Sequence, residues 1–174
     1  MFSEIKICCF DLDGVLSDGI YQISEQGIVT KSFCTKDFYA IEQLMRNDIK
    51  VAIISQACDK VIINQVDRIC SHSKFWEECV EKGYLIIRIA VKNKKKEVEK
   101  LFSLYNVSWD NIAYIGDAEN DFECIKLARF SGCPTDAVPY IREEVTYPSD
   151  YYGGKGAVHD ICMYILEMRN KKYE

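Results

Sequence analysis

The segment IKICCFD, residues 5–11, limits what this chain can fold into more than any other. Lys6 apart, it is apolar on both faces and ends abruptly in charge. That is the pattern of a central parallel strand covered by helices on each side. Such a strand delivers its last residue, Asp11, to the carboxyl edge of a sheet. KVAIIS (50–55), YLIIRIA (84–90) and NIAYIGD (111–117) are further apolar runs of strand length.

Helical patterns lie between them. Phe38, Ile41 and Met45 share a face in a helix expected over about 37–48, with Asp37 as its cap, and a second helix is expected over about 59–70. In residues 94–105 the apolar Val98, Leu101, Phe102 and Tyr105 fall at i, i+3, i+4 and i+7. A helix, a short strand and a last helix are expected to follow, the last turning Val158, Ile161, Cys162 and Ile165 inward. Alternating strand and helix implies a doubly wound, Rossmann-like α/β fold, a parallel sheet with helices on both faces. GIYQIS and IVTKSF flank EQG, so residues 19–33 read as a hairpin projecting from that sheet. SHSKFWEECVEKG, residues 71–83, gives no clear period.

A chain of 174 residues with 48% apolar and 28% charged residues suits one soluble domain, here 1–174. No run reaches the roughly 18 apolar residues of a membrane span. MFSEIKICCFDLD lacks the layout of a signal peptide, so a cytoplasmic location is expected. The nine cysteines sit among core-like neighbours without a CxxC pair, which favours buried thiols over disulfides or a zinc site. The net charge of −5 carries no basic stripe for nucleic acid, and KNKKKEVEK reads as the wet side of a helix.

In open α/β sheets ligands bind beyond the carboxyl ends of the strands. Here those ends carry Asp11 with Asp13, Ser55, Lys94 and Asp117 with Asp121. Converging carboxylates repel unless a divalent cation neutralises them, and Mg²⁺ prefers such hard oxygen ligands. Asp11, Asp13, Asp117 and Asp121 are the candidate ligands. A metal plus Lys94 would attract a dianion such as phosphate, bound also by Ser55 and by the backbone at Gly14. Asp11 is then placed for in-line attack, and Asp13 for protonating the leaving oxygen and deprotonating water.

FDLDGVLSDG, Ser55 after VAII, Lys94 in VKNK and GDAEND resemble, in order, the four motifs of the haloacid dehalogenase superfamily of phosphatases. DGVLSDG before a hairpin, then KSFCTKD and YYGGKGAVHDICMYIL, are similar to the 3-deoxy-D-manno-octulosonate 8-phosphate phosphatase family and to the C-terminal domain of acylneuraminate cytidylyltransferases. The resemblance implies a capless Mg²⁺ phosphatase acting on a phosphorylated 2-keto-3-deoxy sugar acid. It also implies a homotetramer in which hairpins pack together and GGKGAVHD segments approach neighbouring active sites. Lys31, Asp37, Lys155 and His159 fall where the resemblance implies substrate contacts. The chain departs from the family at ISQAC, where ITGR is usual, and at GGKGAVHD, where GGRGAVRE is usual. A lysine cannot copy the bidentate grip of an arginine on a carboxylate. A weakly active oligomerisation or regulatory domain is the alternative reading.

Overall fold

The computed structural model describes residues 2–171. Its main sheet has six strands: β1 Ile7–Phe10, β4 Lys50–Ile54, β5 Leu85–Arg88, β6 Ile112–Ile115, β7 Phe130–Cys133 and β8 Tyr147–Pro148. They are parallel throughout, in the order β5-β4-β1-β6-β7-β8. The chain leaves β1 for one side and returns to its other side at β6. That switch opens a crevice at the carboxyl end of β1, where ligands bind in folds of this kind.

β1 is buried on both faces, as its sequence requires. Cys8, Phe10, Val51, Ile53 and Ala113 face one core layer, against helices α1 Thr35–Arg46, α2 Val61–Cys70, α3 Lys74–Glu81 and α7 Ala157–Asn170. Ile7, Cys9, Ala52, Ile54 and Tyr114 face the other, against α4 Lys94–Tyr105, α5 Phe122–Leu127 and α6 Pro139–Glu144. Residue period two thus feeds two separate apolar layers. Each fully buried aliphatic side chain contributes about 1.5–3 kcal/mol.

The hairpin is real and stands apart from this sheet. β2 Gln22–Ile23 and β3 Val29–Thr30 pair antiparallel, closed by Ser24 N–H to the Ile28 carbonyl at 3.0 Å. Gly27 has φ +77°, a left-handed conformation that glycine adopts without strain. No cap-sized insertion interrupts the described residues.

One unread stretch is filled and two expectations need correction. The unpatterned stretch 71–83 contains α3, held by Trp76, which packs on Phe38 and donates to Glu42 Oε2 at 2.8 Å. The end of the chain has an added helix, α6, and an added edge strand, β8. Pro148 fits β8 because an edge strand need not donate every N–H. Finally, α1 starts at Thr35, so Asp37 is not its cap. Asp37 is fully buried and accepts from His159 N–H at 2.8 Å and Gly156 N–H at 3.4 Å, capping α7 from a neighbouring helix. Phe38, read as a core residue, is in the core.

Candidate active site

Asp11 follows β1 directly, its N–H bound to the Ile115 carbonyl of β6 at 2.9 Å. The chain then makes one wide turn over Leu12–Leu16, closed by Ser17 N–H to the Leu12 carbonyl at 2.9 Å. Gly14 sits in this turn at φ +89°, and the Asp117 carboxylate occupies the place where a Cβ would stand. Glycine is required there for space as well as for conformation.

Lys94 enters at the first turn of α4, whose cap is Asn93 Oδ1, accepting Lys96 N–H at 2.8 Å. Its side chain is wholly buried, with Nζ 2.8 Å from Asp11 Oδ1 and 2.7 Å from Asp121 Oδ1. Asp121 is fixed by Tyr114 O–H at 2.7 Å and by the N–H groups of Asp117 and Ala118 at 3.2 and 3.4 Å. Asp11, Asp117 and Asp121 bring one oxygen each within 4.8 Å of one another.

Burial first, and repulsion from Asp121 second, push the Asp11 carboxyl up to about 8 against the pull of Lys94. The same two causes push Asp117 up to about 6. Lys94 resists its own burial because Asp11 and Asp121 raise it, so it stays an ammonium. One ammonium does not balance three carboxylates in a dry site. Asp117 Oδ1 is buried with no hydrogen-bond partner, an acceptor left over in an otherwise satisfied cluster. A hard divalent cation fits this donor set, because it would neutralise the surplus charge and occupy that oxygen.

The expected site residues divide into those gathered here and those placed elsewhere. Ser55 is buried at the end of β4, and its Oγ accepts Ala57 N–H at 3.0 Å. Asp13, expected among the metal ligands, has its carboxylate outside the three-acid group. Its Oδ1 accepts Ser17 O–H at 2.9 Å and its Oδ2 lies 2.8 Å from Lys31 Nζ. Lys31 also lies 2.8 Å from Asp59 Oδ2 in the β4–α2 loop. Asp37, expected as a substrate contact, has both oxygens on the α7 N-terminus, so it can reach a substrate only through that helix. Lys155 is exposed on the turn before α7, and His159 is half-buried.

That GGKG turn leans on its own chain. Gly154 N–H donates to the Val15 carbonyl at 2.9 Å and Gly153 N–H to Asp136 Oδ1 at 3.0 Å. Tyr114, Ser17 and Asp59 are parts of the site that sequence reasoning missed. Tyr114 looked like one more apolar residue of a central strand, Ser17 lies in a loop without a period, and Asp59 read as the first residue of a helix that in fact begins at Val61.

The profile of the haloacid dehalogenase-like hydrolases matches residues 31–159. The 3-deoxy-D-manno-octulosonate 8-phosphate phosphatase KdsC of Escherichia coli strain K12 is 28% identical over 97% of this chain and 82% of its own length. A 3-deoxy-D-manno-octulosonate 8-phosphate phosphatase of Yersinia pestis superposes with a TM-score of 0.85 at 27% identity, covering 98% of this chain and 85% of that one. The corresponding phosphatase of Moraxella catarrhalis, solved with a magnesium ion, a phosphate ion and a KDO molecule, gives 0.82 at 27% identity, covering 97% and 90%. With a matched profile over most of its length, a fold that superposes on these phosphatases and an acid cluster at the switch point of its sheet, the chain belongs to the haloacid dehalogenase-like hydrolases.

Proposed function

We propose that this chain is a Mg²⁺-dependent phosphomonoesterase with Asp11 as nucleophile, acting on a phosphorylated 2-keto-3-deoxy sugar acid. 3-Deoxy-octulosonate 8-phosphate is the first candidate, because relatives 28% identical carry that activity in their names. A nonulosonate 9-phosphate is the second. The observation that carries the reading is Asp11 Oδ1 held 2.8 Å from a buried Lys94 inside a three-carboxylate cluster.

The chemistry follows from the donor set. Asp11, Asp117 and Asp121 would hold Mg²⁺, Asp121 acting also through Lys94. When bound, the ion supplies charge neutralisation for a phosphoryl group entering an acidic site. Lys94 orients Asp11 and neutralises the equatorial oxygens, and Ser55 and the Gly14 turn offer further donors to phosphate. Asp11 attacks phosphorus, the alkoxide leaves with a proton from Asp13, and the aspartyl-phosphate is hydrolysed by water that Asp13 deprotonates. Phosphate release from a panel of sugar phosphates, with Mg²⁺ and with chelator, tests metal dependence and substrate class together. Turnover that ignores the chelator, or none on any sugar phosphate, contradicts the reading.

Self-association is part of it. The hairpin leaves Ile20 at 69%, Ile23 at 62% and Ile28 at 61% exposure, the sort of apolar edge that proteins cover or pair. A homotetramer built on these hairpins is the assembly proposed. A purely structural or regulatory module is the weaker reading, since a scaffold has no use for three mutually repelling carboxylates around a buried lysine.

A further inference from the structure

Among the described residues, Lys31 is the cation whose ion pairs join the hairpin to the catalytic loops. It follows β3 directly, its side chain is 2% exposed, and its ammonium lies 2.8 Å from Asp13 Oδ2 and 2.8 Å from Asp59 Oδ2. Burial opposes its charge, but the hydrogen bonds to Asp13 and Asp59 prevail and raise its pKa. Asp59 is partly buried and still held below the usual carboxylate range, through Lys31 and the N–H of Val61, which donates to it at 3.1 Å. A lysine so enclosed has little left to offer a substrate. It is instead shared between a carboxylate that touches the reaction and one that does not.

We infer that Asp59 and Lys31 are positioning residues for Asp13: Asp59 anchors Lys31, and Lys31 aims the Asp13 carboxyl at the leaving oxygen. The inference rests on the reading of Asp13 as general acid and base. A general acid acts best when a third group fixes its orientation, the arrangement of nucleophile–base–orienter sets. Ser17 O–H holds the other oxygen, Oδ1, at 2.9 Å, so both oxygens of Asp13 are directed by side chains. The Ser17 hydroxyl lies within the same turn and moves with Asp13. Lys31 and Asp59 come from two other segments and so set where that turn faces. Without Asp59, Lys31 keeps a single carboxylate and its four-carbon stem recovers rotamer freedom.

The consequence is selective for leaving group. A sugar alkoxide cannot depart without a proton, whereas p-nitrophenolate can, so a badly aimed acid slows only the first. The measurement is kcat/KM with Mg²⁺ for two alkyl phosphates, 3-deoxy-octulosonate 8-phosphate and glycerol phosphate, against p-nitrophenyl phosphate. kcat/KM reports steps up to the first irreversible one, so later hydrolysis of the aspartyl-phosphate does not blur it. In Asp13→Asn the alkyl-to-aryl ratio is expected to fall by about 10² or more, the usual worth of a general acid. In Asp59→Asn and in Lys31→Gln it is expected to fall by about 10-fold, a fraction of that contribution. The double variant is expected to fall no further than the worse single, as members of one chain of contacts do. A purely structural role would lower both substrates together and leave the ratio alone. If the ratio moves in Asp13→Asn but stays within about twofold in both positioning variants, the inference is overturned and the acid assignment stands. If it does not move in Asp13→Asn, the acid assignment falls and the inference with it.

Discussion

Gly153 lies against the carbonyl of Gly14, so closely that any Cβ on Gly153 would overlap that oxygen. Two glycines 139 positions apart in sequence thus meet at the turn that carries Asp11 and Asp13 (153 − 14 = 139). The GGKG turn ahead of α7 is therefore a buttress of the catalytic turn, and Asp37 fixes the start of the helix that follows it by accepting from Gly156 and His159 N–H. Gly153→Ala is expected to lower kcat by about 10-fold or more, because misplacing reacting groups by about an ångström is costly even when no catalytic atom is lost. It should also lower the melting temperature. Wild-type kcat and wild-type melting together would show that the contact is incidental.

Among the described residues, Lys94 is the cation paired with Asp11 and Asp121. Lys94→Met is expected to reduce kcat/KM by about 10²–10³-fold, the usual cost of losing a preorganised electrostatic donor. Removing one partner of a buried pair should also cost about 3–5 kcal/mol of stability without metal. Denaturant unfolding with chelator measures the second effect. An unchanged kcat/KM would move the role to Lys92 or Lys95 in the same loop and helix.

The raised carboxyls set a pH dependence. Asp11 at about 8 and Asp117 at about 6 hold protons in the folded chain that they release at ordinary carboxylate values when unfolded. In that window the folded state binds more protons, so metal-free stability falls as pH rises. The chelated protein is expected to melt higher near pH 5 than near pH 8 by about 3 °C, the shift of about 1 kcal/mol in a domain this size. Saturating Mg²⁺ should narrow or reverse the gap, since the ion needs the ionised carboxylates. Calorimetry that finds the chelated protein more stable near pH 8 would contradict this charge balance.

The exposed hairpin predicts self-association. Light scattering at micromolar concentration is expected to give the mass of a tetramer for the native chain, and a smaller species for the pair Ile23→Lys with Ile28→Lys. A native monomer would sink the proposed assembly, while the Asp11 chemistry would survive.

Much of this was legible in residue pattern. The parallel strands β1, β4 and β6 show as apolar runs because both their faces meet helices, the edge strand β5 shows through its buried Leu85 and Ile86, and α4 begins and ends at the residues its period indicated. Asp11, Lys94, Asp117 and Asp121 were legible because strand ends concentrate chemistry in this fold class. What escaped depends on contacts between distant segments. Asp37 reads as a cap for its own helix because capping is normally local, yet its buried carboxylate serves α7, 119 residues away at Gly156. Lys31 reads as a substrate contact, yet two carboxylates from different loops already surround it. The contact of the GGKG turn with the Gly14 turn of its own chain also joins segments too far apart in sequence for any local pattern to show. Helix α3 escaped because only Trp76 and Cys79 of its eight residues are buried, too few to make a period.

The central claim is that Asp11 becomes phosphorylated during turnover. Rapid acid quench of the Mg²⁺ enzyme with substrate, followed by peptide mass spectrometry, tests it directly. One phosphoryl group is expected on the peptide carrying Asp11, absent in Asp11→Asn, whose turnover should fall below about a thousandth of wild type. Phosphate release with no labelled Asp11, or an Asp11→Asn enzyme that still turns over above that level, would contradict it.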